Sequence, residues 1–271
     1  MAKNNVLPNP VQVSILVATA TLAYVVTRFI DDPPQIITFQ LPNFYFSMTI
    51  SVQTIIATLI AGMMATGNYW LIHDHPRLES GQSWHHIWLP ALTTWATSTL
   101  LNMVSIQGFT WWIVLFLGSI LLIGVLVAEY ISVDKTDLYY PVAAVALTVL
   151  SFCIYSAIIL TWHNASYRLF IMLPAAFFAT GILAMRILDL NIPAPAVLSY
   201  AGCLALIAAH ISASLHYIPL TSIQYTLVNI GFVYSSFSIA INIHRQVKTP
   251  RIFIEPLTTM TVFLLSAWLI R

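Results

Sequence analysis

Residues 109–131 have the sequence FTWWIVLFLGSILLIGVLVAEYI, and this stretch determines the class of fold. Its length matches the roughly 20 apolar residues that an α-helix needs to cross a hydrocarbon core about 30 Å thick. A transmembrane β-barrel is excluded, because barrel strands alternate polar and apolar side chains and this stretch does not. The stretch therefore predicts a transmembrane helix.

Eight further segments of the same character account for nearly all of the remaining chain. The predicted fold class is all-α: a polytopic helical bundle with nine membrane crossings, or eight if the first or the ninth segment does not span. The predicted crossings are residues 11–30, 48–72, 87–105, 109–131, 138–160, 167–188, 195–217, 220–243 and 252–270.

The overall composition agrees with a protein that lies almost entirely in the membrane. Hydrophobic residues make up 59% of the 271 residues and charged residues only 7%, against about 25% charged in soluble domains. A net charge of +1 with no polybasic tract excludes nucleic-acid binding. Cys153 and Cys203 lie inside apolar segments, so we expect buried small side chains instead of a disulfide or a redox pair.

Short connections between the crossings predict one transmembrane domain over residues 1–271. An internal repeat is a weaker prediction. The tripeptide Ala-Thr-Gly occurs at residues 65–67 and again at 179–181, so the first four crossings (11–131) would be echoed by the next four (138–243), with the ninth left over.

The distribution of positive charge predicts the orientation, because Lys and Arg concentrate on the cytoplasmic side. With the N-terminus inside and the C-terminus outside, seven of the ten basic residues fall inside: Lys3, Arg77, Lys135, Arg186, Arg245, Lys248 and Arg251. Three fall outside: Arg28, Arg168 and Arg271. The expected location is the cytoplasmic membrane of a bacterium.

Histidines concentrate in the connection between the second and third crossings. His73, His75, His85 and His86 lie there together with two carboxylates, and such side chains are ligands for zinc, iron or copper. Neighbouring histidines diverge on a helix, however, and an extended His-x-His directs its rings to opposite sides. We therefore predict a polar loop at the membrane surface, with a metal site as the alternative.

Polar residues inside the crossings give the candidate ligand-binding positions. Thr94, Ser98 and Asn102 form one stripe at four-residue spacing, and Gln224 and Asn229 lie in the eighth crossing. Such residues either join helices through hydrogen bonds or line a cleft. His210, in the seventh crossing, is the candidate for a ligand or an axial haem contact, but the favoured interpretation is a packed helix in which His210 hydrogen-bonds to a neighbour.

No catalytic motif is present, which disfavours an enzyme. The crossings contain no lysine for a retinal Schiff base, and we find no protease, phosphatase, prenyltransferase or nucleotide-binding signature. Glu255, next to Pro256, is predicted to be a boundary residue of the ninth crossing. The sequence identifies no cofactor, so the cofactor is unknown.

Three hypotheses follow. The first is a non-catalytic membrane subunit or scaffold that packs against partner membrane proteins, a second copy of itself, lipids or pigments. The second is a carrier or receptor for a small apolar ligand, and the third is a metal- or haem-dependent membrane enzyme.

Overall fold

A computed structural model describes residues 7–30, 35–41, 44–78, 83–104, 108–165, 168–192, 194–247 and 249–270. The chain divides into two compact units, Met1–Leu138 and Tyr139–Arg271. Each unit is built mainly from α-helices.

The first unit contains four α-helices: α1 (Pro10–Thr27), α2 (Val52–His73), α3 (Trp88–Met103) and α4 (Phe109–Ser132). Local sequence explains two of the helix starts. Asn9 accepts a hydrogen bond from the amide of Val11 and precedes a proline in the first turn of α1, while the Ser51 side chain accepts from the amide of Thr54. A short 3-10 helix, Ser83–His86, leads into α3.

A two-stranded antiparallel hairpin lies between α1 and α2, and the sequence did not predict it. Strand β1 (Gln35–Leu41) pairs with β2 (Phe44–Ile50), with Gln35 opposite Ile50 and Leu41 opposite Phe44. The second crossing was expected to begin at residue 48. The helix begins at Val52 instead, because residues 44–50 belong to the strand and Ser51 caps the helix.

The second unit contains α5 (Tyr140–Asn164), α6 (Leu169–Asn191), α7 (Ala194–His216), α8 (Ser222–His244) and α9 (Thr249–Leu269). A reciprocal capping box fixes the start of α8: the Thr221 side chain accepts from the amide of Gln224, and the Gln224 side chain accepts from the amide of Thr221. At the end of α6, Arg186 pairs with Asp189, and its Nη1 lies 3.2 Å from Asp189 Oδ2.

The helical membrane bundle is confirmed. Among the described residues there are nine α-helices, and eight of them are long and apolar enough to cross a membrane. The exception is α3, whose 16 residues extend only about 24 Å at 1.5 Å per residue. The first and ninth helices, which we had expected to be the weak crossings, both meet the length and composition of a span.

The order of helix packing is the same in the two units. In the first, α1 packs on α2, α2 on α3, α3 on α4, and α4 returns to α1. In the second, α5 packs on α6, α6 on α7, α7 on α8, and α8 returns to α5, while α9 is added against α8. This shared order accords with the predicted repeat of four helices plus one, which stays a prediction.

The two cysteines correct one expectation. Cys153 on α5 and Cys203 on α7 are free thiols and exposed, not buried. Both lie on helix faces turned away from the core of the second unit. In a membrane protein an apolar side chain is equally well placed against lipid, so apolar character does not indicate burial.

Candidate functional site

A buried pair of ionisable side chains lies at one end of the first unit. His86, in the 3-10 helix, places its Nδ1 2.8 Å from Oε2 of Glu129 in the last turns of α4. The His86 side chain is 5% exposed and that of Glu129 is fully buried. Because a carboxylate only accepts hydrogen bonds, Nδ1 of His86 is the donor.

Two further buried residues surround this pair. Asn68 of α2 donates from Nδ2 to the backbone carbonyl of His86 at 2.8 Å, and its own Oδ1 is buried with no hydrogen-bond partner among the described residues. His75 packs edge-on against the Tyr130 ring, with the centroids 4.6 Å apart. Burial lowers the pKa of the His75 imidazole, against the opposing effect of the Asp134 carboxylate.

The four histidines proposed as metal ligands do not converge. His75 and His86 are buried, His85 is half-buried, and His73 is exposed and stacks on Tyr69. In the described part of the chain no three His, Cys, Asp or Glu side chains form a group that could hold a metal ion. The arrangement of His86 and Glu129 is that of a structural pair closed to solvent.

The polar stripe of α3 is largely occupied by hydrogen bonds within the unit. Thr94 is fully buried, and its hydroxyl donates to the carbonyl of Pro90 one turn earlier. The carbonyl of Thr94 accepts from the hydroxyl of Tyr24 on α1 at 2.7 Å. Ser98 is buried, whereas Asn102 is exposed.

In the second unit Asn229 is the centre of a buried network. Its Oδ1 accepts from the Tyr155 hydroxyl of α5 at 2.6 Å, and its Nδ2 donates to Ser212 Oγ of α7 at 2.7 Å. The Tyr225 hydroxyl donates to the backbone carbonyl of Ser212 at 2.8 Å. The network thus joins α5, α7 and α8 through side chains that are all buried.

The other two predicted ligand-binding residues lie apart from this network. The Gln224 side chain caps α8 and donates to the carbonyl of Ala267 on α9 at 3.2 Å. His210 is exposed on α7, and its Nδ1 donates to the carbonyl of Leu206 at 2.7 Å. The candidate ligand-binding positions therefore do not form one cleft within either unit.

Replacing Asn229 with leucine should lower the free energy of unfolding by about 2 kcal/mol, because the buried hydroxyls of Tyr155 and Ser212 each lose their hydrogen bond to the Asn229 side chain. Replacing the exposed Asn102 with leucine is the matched control and should change stability by less than about 0.5 kcal/mol. Denaturant titration in mixed micelles measures both variants. Equal stability of the two would show that the network does not hold the helices together.

A groove lies on the second unit. No sequence motif predicted it. It has a volume of about 340 Å³, within the range of roughly 300–1,000 Å³ typical of small-molecule sites. The wall on α5 runs from Ala144 to Phe152, about 12 Å at 1.5 Å per residue. Val145 and Val149 on this wall are more than half exposed, so the groove opens sideways along the helix surface.

The groove has mainly apolar walls, and polar side chains cluster at one end. Tyr234, Phe237 and Ile241 of α8 form the opposite wall. The polar end is made by side chains from the last turn of α6 and the end of α8, namely Asn191, Asn242 and Arg245. Glu255 of α9 lines the groove farther along, where it accepts a hydrogen bond from the hydroxyl of Tyr234, whose ring contacts Phe152. Since consecutive crossings alternate in direction, the ends of α6 and α8 lie at the same membrane surface.

Sequence reasoning named Arg245 only as an orienting charge and Glu255 only as a boundary residue, and it did not name Asn191 or Asn242. It also missed the buried pair, because Glu129 was not singled out. One signal was available: Glu129 is the only acidic residue within 109–132, and an ionisable side chain inside a crossing is a functional candidate by default.

These features define a polytopic, helical integral membrane protein with a lateral amphipathic groove on its second unit. A family model matches residues 32–270, and the chain belongs to that family, described as "Protein of unknown function (DUF5656)". No curated protein and no solved structure matches the chain.

Proposed function

We propose that this protein is a non-catalytic membrane protein whose second unit binds an amphipathic molecule of the bilayer in the groove between α5 and α8. The observation that carries the proposal is the division of the groove into apolar walls and a charged end. A few convergent polar groups on an otherwise apolar pocket orient a ligand, and the apolar walls supply contact area.

The geometry favours an amphiphile over a freely soluble metabolite. The exposed valines of the α5 wall lie along a crossing, where a bound hydrocarbon chain remains continuous with the surrounding lipid. The polar end coincides with helix ends, where headgroups of the bilayer lie. A ligand with one chain in the groove and its polar group at Arg245 would match both parts.

Replacing Val149 with tryptophan should fill the groove and reduce retention of a bound lipid at least about tenfold, a loss of about 1.4 kcal/mol of binding free energy. The measurement is native mass spectrometry of the full chain purified in mild detergent and incubated with vesicles of total bacterial lipid. The wild-type protein should retain one lipid per chain after detergent exchange.

Val142→Trp is the matched control, because Val142 lies on the same helix, is 68% exposed and is outside the groove lining. We expect it to retain lipid as the wild-type protein does. Equal retention by the Val149 and Val142 variants would contradict the assignment of the groove as the binding site.

Membership of a larger membrane complex is a second candidate role, and the observation that favours it is the position of α9. This helix packs against α8 alone among the pairs with extensive contact, and large side chains such as Phe253, Leu257 and Trp268 are exposed along it. Native mass measurement in the same detergent tests this role. A lone 30.2 kDa chain without a partner protein would contradict it.

A further inference from the structure

An aromatic cluster lies in the groove beside the middle of α8, away from the polar end. The Phe152 ring of α5 lies 5.3 Å from the Tyr234 ring and 5.5 Å from the Phe237 ring of α8, measured between ring centroids. All three residues line the groove, and Phe152 and Tyr234 are only half-buried. The middle of the groove is therefore walled by aromatic rings that a ligand can reach.

One carboxylate lies beside these rings. Glu255 of α9 lines the groove and accepts a hydrogen bond from the Tyr234 hydroxyl at 3.3 Å. In the part of the chain that the structure describes, Tyr234 is the one side chain bonded to this exposed carboxylate, so its second oxygen is open to a ligand. The Ser235 hydroxyl donates to the carbonyl of Pro256 at 2.9 Å, which fixes this part of α9 against the middle of α8.

The position of Glu255 along the crossing makes its charge unfavourable without a partner. Tyr234 lies ten positions before the end of α8 at His244, about 15 Å at 1.5 Å per residue. That distance is about half of a hydrocarbon core roughly 30 Å thick, where acidic side chains are rare and mark sites for ligands or ions. A bound cation would stabilise the carboxylate, because the attraction between opposite charges increases where water is excluded.

We propose that the middle of the groove binds a lipophilic organic cation, with its positive centre against the Glu255 carboxylate and its apolar substituents against Phe152. The aromatic rings add to the attraction, because the negative face of a ring favours a cation within about 6 Å of its centroid. Arg245 is remote from this place, since it lies eleven positions farther along α8 than Tyr234, about 16 Å away. The inference uses the groove of the proposed function and goes beyond it, because it requires no bound lipid.

The experiment measures binding of tetraphenylphosphonium, a lipophilic cation, to the full chain in nanodiscs of zwitterionic lipid by equilibrium dialysis. Tetraphenylborate has the same shape and a negative charge, and empty nanodiscs give the background of partition into lipid. Above that background, the wild-type protein should bind the cation at least about tenfold more tightly than the anion, a difference near 1.4 kcal/mol. Equal affinity for the two ions would overturn the inference.

Two variants of Glu255 test the role of its charge. Glu255→Gln keeps an acceptor for the Tyr234 hydroxyl but removes the charge, so it should weaken binding of the cation at least about tenfold. Glu255→Asp keeps the charge and should stay within about threefold of wild type. Arg245→Gln, at the polar end of the same groove, is the control and should not weaken binding. Equal losses in the two Glu255 variants, or a loss in the Arg245 variant, would contradict the assignment.

A further pair of variants tests the aromatic cluster. Phe152→Leu should weaken binding of the cation about threefold or more, because an aromatic face contributes about 0.5–2 kcal/mol to holding a cation. Phe178→Leu makes the same replacement at an exposed ring of α6 outside the groove lining, and should bind as the wild-type protein does. Equal binding by these two variants would show that the rings of the groove do not hold the cation.

The proposed function and this inference can fail separately. If the wild-type protein retains lipid in native mass spectrometry but binds tetraphenylphosphonium no better than tetraphenylborate, the groove binds an amphiphile and the cation site is wrong. If binding of the cation depends on Glu255 while no lipid is retained, the cation site stands and the lipid-binding function is wrong.

Discussion

Replacing Glu129 with leucine should lower the free energy of unfolding by about 3 kcal/mol, the largest single-residue effect that we expect. The replacement removes the acceptor for Nδ1 of His86 at a position where neither side chain reaches solvent. Breaking a buried pair by removing one partner typically costs about 3–5 kcal/mol, because the remaining polar group stays buried without its partner. Denaturant titration of the full chain in mixed micelles measures the change.

Three comparisons make this result specific. Glu129→Gln keeps an acceptor oxygen and should cost less than half as much. Glu255→Leu makes the same replacement at an exposed carboxylate and should stay within about 0.5 kcal/mol of wild type. Combining His86→Leu with Glu129→Leu should cost less than the sum of the single variants, since neither member of the pair then stays buried without the other. A Glu129→Leu protein as stable as wild type would show that the pair contributes nothing.

Cysteine labelling should show an all-or-none difference between loops. In a Cys153→Ala, Cys203→Ala background, cysteines introduced at Ser80 and Thr249 should be protected from a membrane-impermeant reagent in intact cells. A cysteine at Asn164 should react. The reason is the charge asymmetry: placing Lys or Arg at the hydrocarbon centre costs about 3 kcal/mol on insertion scales, so the basic residues after α8 resist translocation.

The same labelling after cells are opened is the control, and all three positions should then react. Labelling at Thr249 in intact cells would reverse the orientation. The polar end of the groove would then lie at the outer surface, and the lipid it meets would belong to the other leaflet.

The crossings were predictable because the physical requirement for them is local. A run such as 109–131 must form its backbone hydrogen bonds within itself, and its length is fixed by the bilayer. Orientation rests on a sum of charges along the sequence and stays a prediction. The hairpin between α1 and α2 could not be predicted in the same way, because β1 and β2 lie between two strongly apolar runs.

The candidate site was far less predictable, because its members come together only through packing. Glu129 and His86 are 43 positions apart, and nothing in either segment indicates the other. Arg245 and Asn191 are 54 positions apart. Polar residues inside crossings were also poor indicators of a ligand site. The Thr94 hydroxyl donates to a carbonyl of its own helix, so its presence does not indicate a ligand.

The shortness of α3 has a consequence for how the chain is made. A helix of about 24 Å is shorter than the roughly 30 Å hydrocarbon core, so we expect α3 to insert poorly by itself. The next helix, α4, begins at Phe109, only six positions after α3 ends at Met103, and is strongly apolar. We therefore expect α3 to leave the translocon together with α4 as a helical hairpin. Ribosomes stalled before α4 has emerged should leave α3 uninserted.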